Sequence, residues 1–517
     1  MTPYLAAYLA RLAKEAALRA DVQLQPHQER ARRKVESGGS LLIAHKPGLG
    51  KGLSSVAGIE SLRRRGQTRR TLVLAPAGLR ENFAAGTIGK FTTDRVVRVD
   101  RLPEGGVKFP EAEYYVASYD RFRKDPEGLL RATGADSAIL DEVHNARNPS
   151  THLYRSLMSV RPQLRTVVGL TGSPMSNKPE DLVPIMDIVH GPGGHGLGTP
   201  SQFRQRYVQR KTRKKFFLFG PKVEKVKIRH GKELKARLRG KVDFVPQEQV
   251  EHLMPRRALE VVDVPMSPHQ KRLYSFAMGQ LNPITRYKVE RGLPVGKHEA
   301  QHIFAMIAQA RQASNSIHTL DRSVTPETSA LATPKLRRVI DDTVAHLSTV
   351  PDGQAVLTTN LVHGGVDVLV AGLRARGIEP AIFIGKGNRG VTEKIRQQAV
   401  SDYKAGKKKV IVLSGAGSEG LSLDNTTFVG MVDGHWNPER ITQTEARGRR
   451  IGGQAHRPRE ARQVQVRRYR SILPQNWFTK ALVGKKHSTD EWLYSTAERK
   501  DELNAAVRKL LQELEEE

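Results

Sequence analysis

The sequence predicts an α/β protein with two parallel-sheet domains in tandem and helical insertions between them. Three observations carry that reading. Short β-branched or apolar runs alternate with helical stretches twice over: SLLIAHK, TLVLAPA, YYVASYD, SAILDEV and RTVVGLTG up to about residue 175, then QAVLTTN, AIFIGK, KVIVLSG and TFVGMVD from about 354. This is the rhythm of parallel strands joined by crossover helices. The chain has 517 residues, too many for one core at about 150 residues per domain. With 38% hydrophobic and 27% charged residues, its composition is globular, neither fibrous nor disordered.

Taken in order, residues 1–20 read as an amphipathic helix, with Leu5, Leu9, Leu12 and Leu18 at near-helical spacing. Arg11, Lys14 and Arg19 interrupt it, so it cannot span a bilayer. Docking on the body is preferred over a targeting or membrane-surface role. Residues 21–190 form the first α/β domain, and 191–330 read mainly as helix and loop, a strongly basic insertion. Residues 331–475 form the second α/β domain. Residues 476–517 form a helical brace, in which Leu503, Val507, Leu510 and Leu514 share one side.

Lys and Arg number 85 against 53 Asp and Glu, a net charge of +32, which points to an acidic polymer as partner, most simply nucleic acid. Sixteen of these cations, among them Arg210, Lys211, Arg213, Lys214 and Lys215, lie between 204 and 241 against only Glu224 and Glu233. A solvated basic loop would account for that run. A surface tracking phosphates is preferred because Phe216, Phe217 and Phe219 sit within it. Cysteine is absent, which excludes disulfide scaffolds, Cys-ligated zinc and iron–sulfur clusters.

The chemistry concentrates in three places. HKPGLGKG follows an apolar run. Gly48 and Gly50 let consecutive backbone N–H groups face phosphate oxygens, the helix beyond offers its positive end, and Lys51 adds a point charge. The next residue is normally Ser or Thr, whose hydroxyl ligates Mg²⁺; here it is Gly52, with Ser54 and Ser55 a few residues on. The run SAIL ends in Asp141 and Glu142, placed for one carboxylate to hold a metal and the other to activate water. In ITQTEARGRRIG, Gln443, Arg447 and Arg450 follow i, i+4, i+7 spacing, so a helix would aim both guanidiniums the same way, towards a transferred phosphoryl.

Together these motifs resemble the superfamily 2 helicase-like ATPases, in particular the Swi/Snf-type double-stranded DNA translocases, over roughly residues 20–500. LQPHQ, with Gln28, is similar to the adenine-sensing motif, HKPGLGKG to DEMGLGKT, DEVHNARN to DEAHxxKN and LTGSPMSN to LTGTPxxN through Thr171, Gly172, Pro174 and Asn177. LMPRRALEVVDVPMSPHQKRLY and ARQASN resemble elements diagnostic of this branch, and STDEWLY resembles its closing brace. In the second domain Ser414, Gly417, Gly420, Leu421, Asp433, Trp436, Asn437, Pro438, Gln443, Arg447 and Arg450 occupy matching positions. Departures are Gly52, His45-Lys46-Pro47 in place of Asp-Glu-Met, Glu419 for a glycine and Arg449 for a histidine.

The resemblance implies two RecA-like lobes and ATP with Mg²⁺ as cofactors. It places the nucleotide among Gln28, Pro47, Gly48, Leu49, Gly50, Lys51, Gly52, Gly420 and Gln443. The catalytic set is Lys51, Asp141, Glu142, Arg447 and Arg450, with Asp141 as metal ligand. Strand contacts are expected at Ser118, Tyr119, Thr358, Asn360, Ser414 and Gly417, with the basic run as extra grip. The expected protein is a monomeric ATP-driven translocase on double-stranded DNA, remodelling junctions or displacing bound proteins. It would work in the cytoplasm or nucleoid of a bacterial or phage-infected cell, or the nucleus of a eukaryote. An RNA or RNA–DNA hybrid remodeler, a transcription-complex release factor, a strand-separating helicase and a silent DNA-binding module are the alternatives.

Overall fold

A computed structural model describes residues 18–102, 109–175, 178–214, 222–295, 307–321, 323–385, 390–415, 421, 423–478, 481 and 484–516. The chain divides into two compact units, Met1–Val250 with Glu502–Glu517, and Glu251–Asp501.

The first unit is built on strands β1 (Leu41–His45), β2 (Thr71–Ala75), β3 (Val96–Val99), β4 (Tyr114–Ser118), β5 (Ser137–Leu140), β6 (Thr166–Leu170) and β9 (Val242–Val245). They form one parallel sheet in the order β3-β4-β2-β5-β6-β1-β9. Successive residues of each strand enter opposite cores: Leu41, Ile43, Val73 and Ile139 pack on one face, Leu42, Leu72, Leu74 and Leu140 on the other. Burial on both faces is why these strands read as continuous apolar runs instead of an alternation. Helix α1 (Pro26–Gly38) starts with Pro at its first turn and a capping box between Gln25 and Gln28, and helix α2 (Lys51–Arg64) follows β1. The last turns of the chain belong to this unit, Val507, Leu510, Leu511 and Leu514 lying in its core.

The second unit has strands β10 (Arg256–Pro265), β11 (Gln354–Thr359), β12 (Ala381–Phe383), β13 (Val410–Ser414), β14 (Thr426–Met431) and β15 (Gln463–Ile472). These are again all parallel, in the order β10-β15-β14-β11-β13-β12. Among the described residues no helix is long and apolar enough to cross a membrane. Of the expected helix over 1–20, residues 1–17 lie outside the described residues.

The stretch 191–330, expected to be helix and loop, instead holds four strands. β7 (Val208–Lys214) and β8 (Lys222–Ile228) make an antiparallel hairpin, β9 completes the first sheet, and β10 the edge of the second. The signal was hidden by charge. In VQRKTRK and KVEKVKI lysine and arginine interrupt the β-branched residues, and among the described side chains Val208 and Val226 reach the core with Ile228 packed against it. β10 is mostly exposed, and its acidic residues pair with β15: Glu260 with Arg467 and Asp263 with Arg470.

Behind the second sheet lies a fully buried ion pair. Lys335, on helix α3 (Pro334–Thr349), places Nζ 2.7 Å from Asp490 Oδ2 and also donates to Asn315 Oδ1. Asn315 Nδ2 in turn donates to Asp433 Oδ2 at 2.9 Å, and Ser471 N to Asp490 Oδ2 at 2.9 Å. Three segments distant in sequence are tied through one ammonium. A buried pair broken from one side strands the other charge, so Lys335→Met should destabilise this unit by about 3–5 kcal/mol. Adding Asp490→Asn should recover part of that loss. Urea unfolding of both variants checks this; equal stability of the single variant and wild type would refute it.

Candidate nucleotide and nucleic-acid site

The carboxyl ends of β1, β6 and β5, neighbours in the first sheet, bring three motifs side by side. From β1 the chain enters the glycine loop, where Gly48 (φ 89°) and Gly50 (φ 74°) take left-handed conformations. A Cβ on Gly50 would collide with the amide nitrogen of Gln28. Gln28 Nε2 donates to Leu49 O at 3.2 Å, its Oε1 accepts from Gln25 N at 3.0 Å, and His27 Nε2 lies 2.9 Å from Leu49 O. Gln28 is thus a clamp on the loop. α2 begins at Lys51 without a side-chain cap, leaving first-turn N–H groups for an anion.

β5 ends at Leu140, and the N–H of the next residue, Asp141, donates to Leu74 O at 2.8 Å. Glu142 follows in a left-handed conformation (φ 51°, ψ 48°), a strained backbone for a side chain of this size. His144 Nδ1 stands 3.2 Å from Glu142 Oε2 and 3.1 Å from Thr171 Oγ1, which accepts from Ser173 N at 3.0 Å. The next residue of the β6 turn, Gly172, approaches Pro47 so closely that a Cβ there would lie 3.1 Å from the proline Cδ. Burial, and then the charge of Glu142, raise the Asp141 carboxyl to about 7 against the pull of Lys51. Burial would raise Glu142 too, but the His144 imidazole, Lys51 and the Gly172 backbone hold it below its ordinary value. An ammonium, two carboxylates and free N–H groups in one strip fit a polyphosphate with a divalent cation. The position after Lys51 offers no hydroxyl. Ser55 Oγ donates back to Gly52 O at 2.8 Å and Ser54 Oγ to Gly50 O at 3.3 Å.

Ser118 and Tyr119, expected to touch a nucleic-acid strand, are turned inward. Ser118 Oγ accepts from Arg121 N at 3.0 Å as a helix cap, and Tyr119 Oη donates to Asp141 O at 2.7 Å. Both are buried, and Tyr119 braces the residue that follows β5.

In the second unit helix α4 (Pro438–Glu445) carries Gln443 but stops before the arginines, so Gln443, Arg447 and Arg450 do not share a helical face. Gly448 must pass against β14, where a Cβ would collide with Thr426, and this close approach takes the chain out of the helix. Gln443 and Arg447 line a cavity with Thr358, Asn360, Asp433 and His435. Arg450 instead donates to Leu421 O at 2.6 Å. Asn360 N donates to Asp433 Oδ1 at 2.9 Å, and Ser414 is buried. Gly417, Gly420, Asn177, Lys215 and the side chains of Lys211, Arg213 and Lys214 lie outside the described residues. Arg210 is on β7, its guanidinium 3.2 Å from Glu180.

Asp243, on β9, belongs to no motif legible in the sequence. Fully buried, it accepts from Arg30 Nε and Lys34 Nζ, each at 2.8 Å, and lies 2.5 Å from His45 Nε2. Only the pairing of His45, at the start of the glycine loop, with an acid on a late apolar run could have signalled it. Burial pulls His45 down to about 4, although Asp243 opposes the shift.

Residues 23–319 match the SNF2-related domain and 338–452 the Helicase conserved C-terminal domain. The first match covers more than half of the chain, which belongs to the SNF2-related family. It is an ATP-using enzyme of helicase type. Curated relatives include the Putative ATP-dependent RNA helicase L538 of Acanthamoeba polyphaga mimivirus, 23% identical over 93% of this chain and 94% of the relative. The Uncharacterized ATP-dependent helicase YqhH of Bacillus subtilis is 23% identical over 83% and 73%. A Termination factor NPH-I homolog of African swine fever virus is 22% identical over 91% and 75%. Among solved structures, the Sulfolobus solfataricus SWI2/SNF2 ATPase core in complex with dsDNA is 18% identical, covering 95% of this chain and 98% of that one, with a TM-score of 0.40.

With a folded pKa near 4 against 6.5 unfolded, His45 contributes stability that is complete above pH 6.5 and lost as pH falls from 6.5 to 4. His45→Asn should reduce the pH slope of the first unit's stability in that window by up to about 1.4 kcal/mol per pH unit. Urea titrations at pH 7, 6 and 5 read the slope; one unchanged from wild type would reject this role. His190 and His27, also lowered by burial, should leave a residual slope.

Proposed function

We propose that this chain is an ATP-driven translocase on double-stranded DNA, acting as a monomer to remodel DNA junctions or displace bound proteins. The observation that carries the reading is the strip at the ends of β1, β6 and β5, where Lys51, Asp141 and Glu142 act electrostatically on one another. ATP lies with its phosphates against the N–H groups of the glycine loop and the start of α2, and Lys51 neutralises the terminal oxygens. Asp141 would hold the nucleotide-bound Mg²⁺, which would supply charge neutralisation for the phosphates. Glu142, kept ionised, accepts the proton of the attacking water, and His144 couples it to Thr171 in the β6 turn. Within the second unit, Arg447 and Gln443 line a cavity with the charge to take a phosphate group, and Arg450 holds the Leu421 segment in place.

Double-stranded DNA as the polymer is supported by the net charge of +32 and the basic β7–β8 hairpin. The solved structure named above carries dsDNA, whereas the mimivirus relative is named for RNA and the African swine fever virus relatives for termination. Phosphate release measured with duplex DNA, single strands and RNA separates these readings. Stimulation by duplex DNA is expected, and stimulation by RNA alone would replace it with the RNA-remodelling reading.

Lys51→Ala and Glu142→Gln should each lower DNA-stimulated phosphate release by about 100-fold or more, with Glu142→Gln still binding ATP. Undiminished turnover in both would reject the assignment. Arg447→Ala should lose turnover while retaining ATP and DNA binding, whereas Arg450→Ala should act through the stability of the second unit. DNA affinity should fall by about 0.9 log units per decade of salt for each phosphate contacted.

A further inference from the structure

Gly52 removes the side chain that would present a hydroxyl to a nucleotide-bound cation, and Ser54 and Ser55 are fully buried with their hydroxyls spent on Gly50 O and Gly52 O. Yet the space beside Gly52 is filled. A Cβ at position 52 would lie 3.0 Å from Thr87 Cγ2, 3.2 Å from its Oγ1 and 3.7 Å from its Cβ. Thr87 therefore occupies volume that a side chain at 52 would need, and threonine at both positions would be overpacked.

Thr87 is carried there by an irregularity. Arg80–Phe83 and Gly89–Phe91 are α-helical, but Ala84–Ile88 between them is a wide π turn, with Gly89 N bonding to Ala84 O. One extra residue in a turn moves the following side chains around the axis, and such turns mark functional positions. The Thr87 hydroxyl is also used differently from its counterparts. At the end of this same segment Thr92, and in other helices Thr133 and Thr343, donate to the carbonyl four residues back. Thr87, half-buried, hydrogen-bonds to none of the described residues. Its oxygen is an unspent hard donor beside the first turn of α2, chemistry suited to Mg²⁺.

We propose that Thr87 supplies, from the π turn, the hydroxyl through which this phosphate loop holds the Mg²⁺ of a nucleotide polyphosphate, replacing the side chain Gly52 lacks. The inference rests on the reading of the loop as an ATP site. It explains how a chain with glycine after the loop lysine retains a hydroxyl at the metal: the oxygen arrives from a neighbouring helix instead of from α2.

The test is equilibrium binding of fluorescent ADP to the full chain, in excess Mg²⁺ and in EDTA, with Mn²⁺ binding to the ADP complex followed by EPR. Wild type should bind more tightly with Mg²⁺. Thr87→Val should bind as wild type in EDTA but lose about 10-fold or more of the Mg²⁺ gain and of Mn²⁺ affinity. Thr87→Ser should keep both, and Gly52→Thr combined with Thr87→Gly should recover them. A Mg²⁺ gain in Thr87→Val equal to wild type, or loss of the gain in Thr87→Ser, overturns the inference. So does a wild type that binds nucleotide equally with and without Mg²⁺, which leaves the ATP site standing. A wild type binding no nucleotide in either condition overturns the ATP-site reading itself.

Discussion

The first unit depends on β6 lying between β1 and β5. In a parallel sheet the strand order decides which carboxyl ends are neighbours, and ligands collect outside those ends. Here the order places the Thr171-Gly172 turn against Pro47 of the glycine loop on one side and, through His144 and the Gly172 backbone, against Glu142 on the other. A phosphate-sensing loop and a water-activating carboxylate are thereby linked through a third segment holding the hydroxyl of Thr171. The strained backbone of Glu142 is tolerated because its carboxylate is held from two directions.

Two buried charges fix the frame around these ends. In the first unit Asp243 draws Arg30 and Lys34 of α1 and His45 of β1 onto β9, so the helix that clamps the glycine loop is anchored to the edge strand beside β1. In the second, Lys335 joins Asp490 and Asn315, and Asn315 reaches Asp433, which receives the backbone of Asn360 at the end of β11. Interior ion pairs add little net stability, but they penalise any arrangement that leaves one partner alone. Both serve register and position, which suits segments whose ends must meet a ligand.

What the sequence made legible was local. The nine apolar runs marked as strands are strands, because burial on both faces leaves a continuous signal. The glycine loop, Asp141 and Glu142 were legible for the same reason, since their chemistry is written in consecutive residues. Signals that depend on partners distant in the chain were not. β3 and β9 are four residues each, β10 and β15 are charged strands stabilised by cross-strand pairs, and the β7–β8 hairpin is strongly basic. The periodicity of Gln443, Arg447 and Arg450 was sound arithmetic on a helix that ends at Glu445. What ended it was the close approach of Gly448 to Thr426, and no local pattern encodes that contact.

Ser118, Tyr119, Gln28 and Gly52 show why matching positions do not carry matching contacts. At each, neighbours decide what the side chain faces. Tyr119 spends its hydroxyl on the carbonyl of Asp141, Ser118 caps a helix, and Gln28 spends both ends of its amide on holding the loop. At Gly52 the absence of a side chain admits Thr87 from another helix. Motif spelling locates a backbone path; the donors and acceptors lining it are set by packing. A hydroxyl lost from one element and regained from another leaves the coordination chemistry unchanged while altering the letters that usually announce it.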